Sequence, residues 1–186
     1  MKYLPIAILM LVMAFLPACN STDDNWEDYK EWREANDAWL LQKKDQKDDA
    51  GKAYYTKVIP EHDPNAYVLI HYFNDRSKTL GNLSPMITST VDVKYHGRTY
   101  DDVPFDSSYT LTAAYGDSIY RTALNSSIIS GWRVALMDMR VGDTCEVIIP
   151  YQQGYGQMGS GPIKPYSNLI FGLKLVDIPG YEKPAK

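Results

Sequence analysis

The residues that would suit nucleotide chemistry are poorly placed for it in this chain. The dinucleotide-binding pattern G-x-G-x-x-G is matched by Gly154-Tyr155-Gly156-Gln157-Met158-Gly159. This pattern binds phosphate only when a strand precedes it and a helix begins within it. Here Pro150 precedes the pattern and Ser160-Gly161-Pro162 follows it, so no helix can start there. The sequence therefore argues against a nucleotide site.

The nucleophiles and metal ligands are equally isolated. Cys145 lies in the alternating run Cys145-Glu146-Val147-Ile148-Ile149, which is typical of a strand and favours a small buried residue over a reactive thiol. Asp101 and Asp102 would point apart on an extended chain, so a turn explains the pair. The histidines show no metal-ligand spacing: His62, His71 and His96. Covalent and metal chemistry are both disfavoured.

The elements that must position the side chains are mostly strands. Alternating or β-branched runs predict strands at 53–59, 66–73, 91–95, 144–149 and 169–178. Polar, glycine-rich or proline-rich segments predict loops at 74–85 and 151–167, and a loop with short strands at 106–120. Alternation places Val91, Val93 and Tyr95 on one face of their strand, and Gly97 is expected to end it.

One short helix is predicted among these strands. A single apolar stripe at i, i+3, i+4 and i+7 is formed by Trp132, Ala135, Leu136 and Met139. Ser130 is expected to cap the start of this helix, and Gly142 to end it. Many strands with one helix, and no regular βαβ alternation, predict an α+β fold in which an antiparallel sheet packs its helix on one face.

Six motifs follow one another through this region. They are Val91-Asp92-Val93-Lys94-Tyr95-His96-Gly97, Phe105-Asp106-Ser107-Ser108, Ile128-Ile129-Ser130-Gly131-Trp132, Met139-Arg140-Val141-Gly142, Tyr155-Gly156, and the segment from Ile163 to Phe171. In this order and spacing they resemble the FKBP-type peptidyl-prolyl cis-trans isomerases. The resemblance implies an FKBP-like antiparallel sheet wrapped on one short helix, with the isomerase domain at 53–180.

The activity implied by the resemblance is rotation about X-Pro peptide bonds. The barrier is about 20 kcal/mol, because the planar amide loses its resonance during rotation. Complementarity to the twisted amide needs an apolar pocket and a few donors, but no nucleophile, metal or cofactor. We therefore expect no cofactor, and proline-containing polypeptide clients that are folding after export. The alternative is a binding module or chaperone that holds proline-containing segments with little turnover.

The resemblance also implies which residues build the pocket. Trp132 would form the floor, with Tyr95, Phe105 and Phe171 as walls. Ile163 would cap the far side. The residue type common to the floor and walls is aromatic, which suits a pocket for a proline ring.

Other matching residues would form the entrance of the pocket and its polar groups. Ile128 and Ile129 would line the entrance, and the Ile129 backbone N–H would donate to a substrate carbonyl. The Tyr155 hydroxyl would donate a second such bond. Asp106 would accept a hydrogen bond from Tyr95 or from the polar side of the substrate.

The chain departs from the family's pattern near this entrance. Ser127 stands where an acidic residue is usual, and Gly159 where a histidine or similar residue is usual. Pro162 occupies a position often held by isoleucine, and Asp106 has no clear basic partner. Tyr120 corresponds to a further family phenylalanine only across a longer loop. These departures bear on substrate preference and rate rather than on the fold.

The start of the chain has the composition of a targeting segment. Met1-Lys2 is followed by an apolar run from Leu4 to Leu16, which is too short to span a bilayer and has the length of a signal-peptide core. The run ends in Leu16-Pro17-Ala18-Cys19, which resembles a bacterial lipobox. Lipidation of Cys19 would leave Cys145 alone, so no disulfide is expected within the mature chain.

This N-terminus predicts the location and order of the segments. A lipoprotein signal peptide is expected at 1–18, followed by a tether at 19–25. The protein would be held in the bacterial cell envelope by its lipid, in the outer membrane, facing the periplasm or the surface. An overall net charge of −4, without a cluster of Lys and Arg, gives no reason to expect a nucleic-acid partner.

Residues 26–50 are predicted to form an N-terminal helix. Acidic residues are concentrated in its first half and basic residues at its end, as the helix dipole favours. An aromatic stripe recurs at roughly helical spacing: Trp26, Tyr29, Trp32, Trp39 and Leu40. The stripe would either dock on the same domain or serve as a homodimer interface or client platform, as in several exported members of the family. The sequence leaves both alternatives open.

Overall fold

A computed structural model describes residues 25–61, 63–110, 112–113 and 116–181. The predicted signal peptide, Cys19 and all but the last residue of the predicted tether lie outside the described residues.

The helices are α1 (Lys30–Asp45) and α2 (Ser130–Asp138). The strands are β1 (Thr56–Val58), β2 (Val68–Tyr72), β3 (Thr90–Thr99), β4 (Pro104–Ser107), β5 (Thr112–Ala113), β6 (Gly116–Asp117), β7 (Tyr120–Ala123), β8 (Thr144–Ile149) and β9 (Leu169–Asp177). Within this described part, no helix is both long and apolar enough to cross a bilayer.

One antiparallel sheet organises the domain. Its strands lie in the order β1-β2-β8-β9-β3-β4, and β7 also pairs with β3. β9 occupies the centre and pairs with β3 on one side and β8 on the other. β5 and β6 form a separate two-stranded pair. The predicted α+β fold with an antiparallel sheet is confirmed.

Each face of the sheet is covered by its own helix. Because side chains alternate along a strand, neighbouring residues of β8 and β9 point to opposite faces. Val147 and Phe171 belong to the main core with α2. Leu69, Ile148 and Ile170 pack on the other face, together with Leu40 of α1. Burial on both faces explains why β8 and β9 contain continuous apolar runs.

Helix α2 presents the predicted apolar stripe but has different ends. All four residues of the stripe are buried: Trp132, Ala135, Leu136 and Met139. Ser130 is the first helical residue, after an extended Ile129, and its hydroxyl donates to the Gln153 carbonyl at 3.2 Å instead of capping the helix. The helix ends at Asp138, and Gly142, with φ +96°, forms the turn before β8.

Strand β3 runs past its predicted end at Gly97. Gly97 pairs with Phe171 of β9, and the pairing continues to Thr99. A Cβ atom at Gly97 would lie 2.7 Å from ring atoms of both Phe105 and Phe171. The missing side chain therefore makes room for two aromatic rings and does not end the strand. β1 is shorter than predicted, because Ala53 instead pairs with Lys47, the last residue of the N-terminal segment, which we define as residues 25–47.

Helix α1 is shorter than the predicted 26–50 at both ends. Residues 25–29 form turns, and Tyr29, at the N-cap, provides no side-chain cap. After the helix, the Asp48 carboxylate accepts hydrogen bonds from the N–H groups of Ala50 and Lys52, at 2.9 Å each. These bonds turn the chain towards β1.

The face of α1 that packs on the sheet also differs from the predicted aromatic stripe. Its buried residues are Arg33, Asn36 and Leu40. Trp32 and Trp39 flank this stripe and approach the Tyr100 ring, with centroid distances of 4.9 and 6.1 Å. The helix thus docks on its own domain, the first of the two alternatives. A homodimer through α1 stays a prediction.

Candidate functional site

A cavity of about 160 Å³ opens beside the N-terminus of α2. It is bordered by β3, β4, β7, β9 and the Tyr155 loop, which we define as residues 151–168. Seven of the nine predicted pocket residues line it: Tyr95, Asp106, Ile128, Ile129, Trp132, Tyr155 and Phe171. Tyr120 and Ser127 complete the lining. The remaining predicted residues, Phe105 and Ile163, do not line this cavity.

Aromatic rings packed edge to face form the walls. The Trp132 ring lies 4.8 Å from Tyr95 and 5.2 Å from Phe171, with interplanar angles of 81° and 83°. Gly131 lets α2 approach β8, since a Cβ there would lie 2.3 Å from the Ile149 side chain. Edge-to-face pairs at these distances favour one relative orientation of the rings. The indole therefore occupies a fixed position in the cavity.

Asp106 is paired with Tyr95 at one side of the cavity. The Tyr95 hydroxyl donates to Asp106 Oδ2 at 2.7 Å, and the Ser107 N–H donates to Oδ1 at 2.8 Å. Burial, together with the hydrogen bond to Asp106, raises the pKa of Tyr95, so its hydroxyl stays protonated. Among the described residues, Asp106 forms no ion pair with a basic side chain. Tyr95 and the substrate were the two partners predicted for Asp106, and the structure shows the hydrogen bond to Tyr95.

Two hydrogen-bond donors lie near the cavity opening. Tyr155 is 37% exposed, and burial followed by the charge of Asp106 raises the pKa of its hydroxyl, which remains a donor. The second donor is the backbone N–H of Ile129, the N-cap residue of α2. The first N–H groups of a helix have no carbonyl acceptor within the helix. The site therefore combines an apolar aromatic floor with donors suited to carbonyl oxygens.

A β-bulge lies at Phe105, whose ring packs on the core face of the sheet without lining the cavity. Gly97 pairs with Asp106 and Arg98 with Pro104, so Phe105 is the extra residue between two paired positions. Its ring packs edge to face on Phe171 at 5.4 Å and so contacts one wall of the cavity. Phe105 also borders a second cavity of about 240 Å³.

Ile163 also does not line the cavity, and its role as a cap stays a prediction. Its side chain is 6% exposed and belongs to the main core, while its N–H donates to the Ser160 carbonyl at 2.9 Å. Tyr120 takes a larger part than predicted, because it pairs with Val93 and its ring lies 5.6 Å from Tyr95. The alternating pattern of β3 indicates which of its residues face the core, but gives no sign of its pairing with Tyr120.

Cys145 has the character that its strand pattern predicted. It is fully buried, and its thiol lies 3.7 Å from the Met139 sulfur. Burial, followed by the nearby charges of Asp143 and Asp138, raises the pKa of the thiol to about 12. A thiol that stays protonated in the core is a packing group.

Comparison with known proteins places these features in a family. A family model described as FKBP-type peptidyl-prolyl cis-trans isomerase matches residues 81–176, which span β3 to β9 and include every residue of the cavity. FK506-binding protein 2 of Debaryomyces hansenii is 36% identical over 93 residues, 50% of this chain and 66% of the relative. Peptidyl-prolyl cis-trans isomerase Mip of Coxiella burnetii is 35% identical over 96 residues, 51% of this chain and 39% of the relative.

The fold agrees with this match. The crystal structure of a peptidyl-prolyl cis-trans isomerase from Pseudomonas syringae superposes with a TM-score of 0.62, covering 81% of this chain and 95% of that chain, at 24% identity. The sequence matches cover only part of each relative, 66% of the Debaryomyces protein and 39% of the Coxiella protein. The family match nevertheless covers more than half of the present chain. This chain therefore belongs to the family of FKBP-type peptidyl-prolyl cis-trans isomerases.

Proposed function

We propose that this chain catalyses cis–trans isomerisation of X-Pro bonds in exported polypeptides. The observation that carries the proposal is the edge-to-face packing of Trp132, Tyr95 and Phe171 beneath an opening that holds the Tyr155 hydroxyl. Uncatalysed X-Pro isomerisation takes tens of seconds and can limit folding, so clients that fold outside the cytoplasm would benefit.

The proposed mechanism is stabilisation of the twisted amide. The proline ring would rest on the Trp132 indole, where few waters can reach the amide nitrogen. The Ile129 N–H and the Tyr155 hydroxyl would donate to the substrate carbonyls and hold the chain on either side of the rotating bond. Because these contacts favour the twisted amide over both planar forms, they lower the barrier without a covalent intermediate.

We expect Tyr155→Phe to lower kcat/KM about 2- to 10-fold, the effect of one lost hydrogen bond of about 0.5–1.5 kcal/mol. Asp106→Ala should also lower the rate, because it removes the acceptor that orients Tyr95. The assay is isomerisation of a short Xaa-Pro peptide by the purified protein. Tyr109→Phe is the control, since Tyr109 is 58% exposed and lies outside the cavity.

A folded wild-type protein with no rate above background would contradict the isomerase proposal. The alternative is then a module that binds proline-containing segments. Titration with a proline-containing peptide, followed by the tryptophan fluorescence of the wild type and of Trp132→Leu, would test it. Ser127, which replaces the usual acidic residue at the entrance, is the feature that favours this alternative.

The proposed location is the bacterial cell envelope, with the chain held to a membrane by a lipid on Cys19. The support is the apolar run before Leu16-Pro17-Ala18-Cys19. We expect Cys19→Ala to move the protein from the membrane fraction to the soluble fraction, and to abolish the mass increase due to lipid. Cys145→Ala, at the buried cysteine, is the matched control and should remain with membranes. Unchanged fractionation of Cys19→Ala would refute the lipid anchor.

A further inference from the structure

The Tyr155 loop is attached to the turn that precedes α1. Asn25 Nδ2 donates to the Gln157 carbonyl at 3.0 Å, two residues beyond Tyr155. The Tyr166 hydroxyl donates to Asn25 Oδ1 at 2.9 Å. A single side chain of the N-terminal segment thus joins the tip of the loop to its returning part.

A second attachment lies deeper and joins α1 to both ends of the loop. Asn36 and Asn168 are fully buried, and the Asn168 N–H and Nδ2 donate to Asn36 Oδ1 and O, at 2.8 Å each. The same Asn168 accepts a hydrogen bond from the Tyr151 N–H at 3.0 Å. A shift of α1 relative to the loop would break these hydrogen bonds and leave buried polar groups unpaired. The two asparagines therefore permit little movement between α1 and the loop.

Between these two attachments, the loop backbone adopts an unfavourable conformation at Tyr166. Tyr166 is fully buried at φ +60°, a left-handed conformation that is unfavourable for an aromatic residue. Its N–H donates to the Gly156 carbonyl at 2.9 Å, next to Tyr155. Its ring packs against Trp26 at 5.4 Å, and the Arg33 guanidinium covers Trp26 at 3.1 Å from the ring centroid. Residues before and within α1 therefore hold Tyr166 in place.

We propose that the N-terminal segment positions the Tyr155 hydroxyl, with Asn25 and Asn36 as positioning residues. This inference rests on the proposed isomerase function. Tyr155 lies between Tyr151, which Asn168 holds, and Gly156, which Tyr166 holds, and both anchors depend on the N-terminal segment. Because a donor displaced by about 1 Å loses much of its effect on a transition state, loosening this segment lowers the rate through Tyr155.

The test is a double-mutant cycle between Asn25→Ala and Tyr155→Phe. Asn25→Ala should lower kcat/KM by up to the loss that Tyr155→Phe causes, about 2- to 10-fold, in the wild-type background, and leave it nearly unchanged when Tyr155 is already Phe. Asn36→Ala should show the same dependence. Asn82→Ala is the matched control, because it removes one comparable bond to a backbone carbonyl, that of Val141 at 2.7 Å, away from the loop. Equal losses in both backgrounds would overturn the proposal.

A second measurement does not depend on turnover. The Gly156 N–H bonds to the Tyr151 carbonyl at 2.9 Å, and the Gly159 N–H to the Tyr155 carbonyl at 3.2 Å. In Asn25→Ala these amides should exchange with solvent about 10-fold faster, while amides of β9 keep their protection. Unchanged exchange would overturn the proposal even if the protein is an isomerase. If the wild type shows no isomerase rate, the proposed function fails, and loop exchange alone decides whether the N-terminal segment holds this loop.

Discussion

Replacing Trp132 by Leu should lower kcat/KM about 10- to 100-fold while the protein stays folded. The indole provides the surface beneath the proposed proline ring, and its contacts with Tyr95 and Phe171 fix that surface. Full burial of an apolar side chain contributes about 1.5–3 kcal/mol. A loss of about 1.4 kcal/mol in transition-state stabilisation lowers a rate about tenfold. Leucine keeps the core position apolar but gives no flat floor, so the transition state loses this contact.

The assay for Trp132→Leu is peptide isomerisation, with urea unfolding to establish that the variant is folded. Trp39→Leu is the matched control, because Trp39 lies on α1, packs near the Tyr100 ring and is outside the cavity. The control should stay within about 2-fold of the wild-type rate. A Trp132→Leu variant with a rate close to wild type would remove the indole from the mechanism.

The largest loss of stability is expected from Asp143→Asn. This carboxylate is fully buried and accepts hydrogen bonds from Thr79, Asn74, Arg76 and the Arg140 N–H, at 2.6 to 3.2 Å. An asparagine at this position has one acceptor atom instead of two, and its amide group would face donors. We expect the free energy of unfolding to fall by about 3–5 kcal/mol. Asp102→Asn is the control, since the Asp102 side chain is 79% exposed and should cost less than about 1 kcal/mol.

The stabilisation by Asp143 should depend on pH in a defined direction. Burial alone would raise the pKa of Asp143, but its hydrogen bonds and the Arg76 charge outweigh burial and hold the pKa below its usual value. A lowered pKa in the folded state stabilises the protein above the unfolded pKa of about 4, and the stabilisation is lost as pH falls through the folded value. The difference between wild type and Asp143→Asn should therefore be full at about pH 7 and shrink in strong acid. A constant difference across this range would contradict the assignment.

Local patterns were sufficient for the elements that position the cavity. The helical spacing of Trp132, Ala135, Leu136 and Met139 depends only on residues within two turns, so it predicted the buried face of α2. The strand alternation around Tyr95 was equally local. Seven of nine predicted pocket residues line one cavity, because the resemblance supplied long-range proximity that periodicity cannot.

The departures have long-range causes. The exact position of Phe105 depends on the bulge between β3 and β4, and thus on strand register, which no local pattern specifies. The docking of α1 was left open because an aromatic stripe predicts burial without naming the surface that buries it. Asn36 and Asn168 are 132 residues apart in the sequence. Asparagine is usually exposed, so the sequence around either residue gives no indication that it is buried.

The central position of β9 has a consequence for the timing of folding. β9 joins β3 to β8, and Ile170 on its other face completes the surface under Leu40 of α1. The strands β1, β2 and β8 can join β3, β4 and β7 only after residues 169–177 have left the ribosome. Such a high contact order predicts slow folding that begins only late in synthesis. A chain that stays open until its last strand is made remains fit to be threaded through a narrow pore while it is still extended.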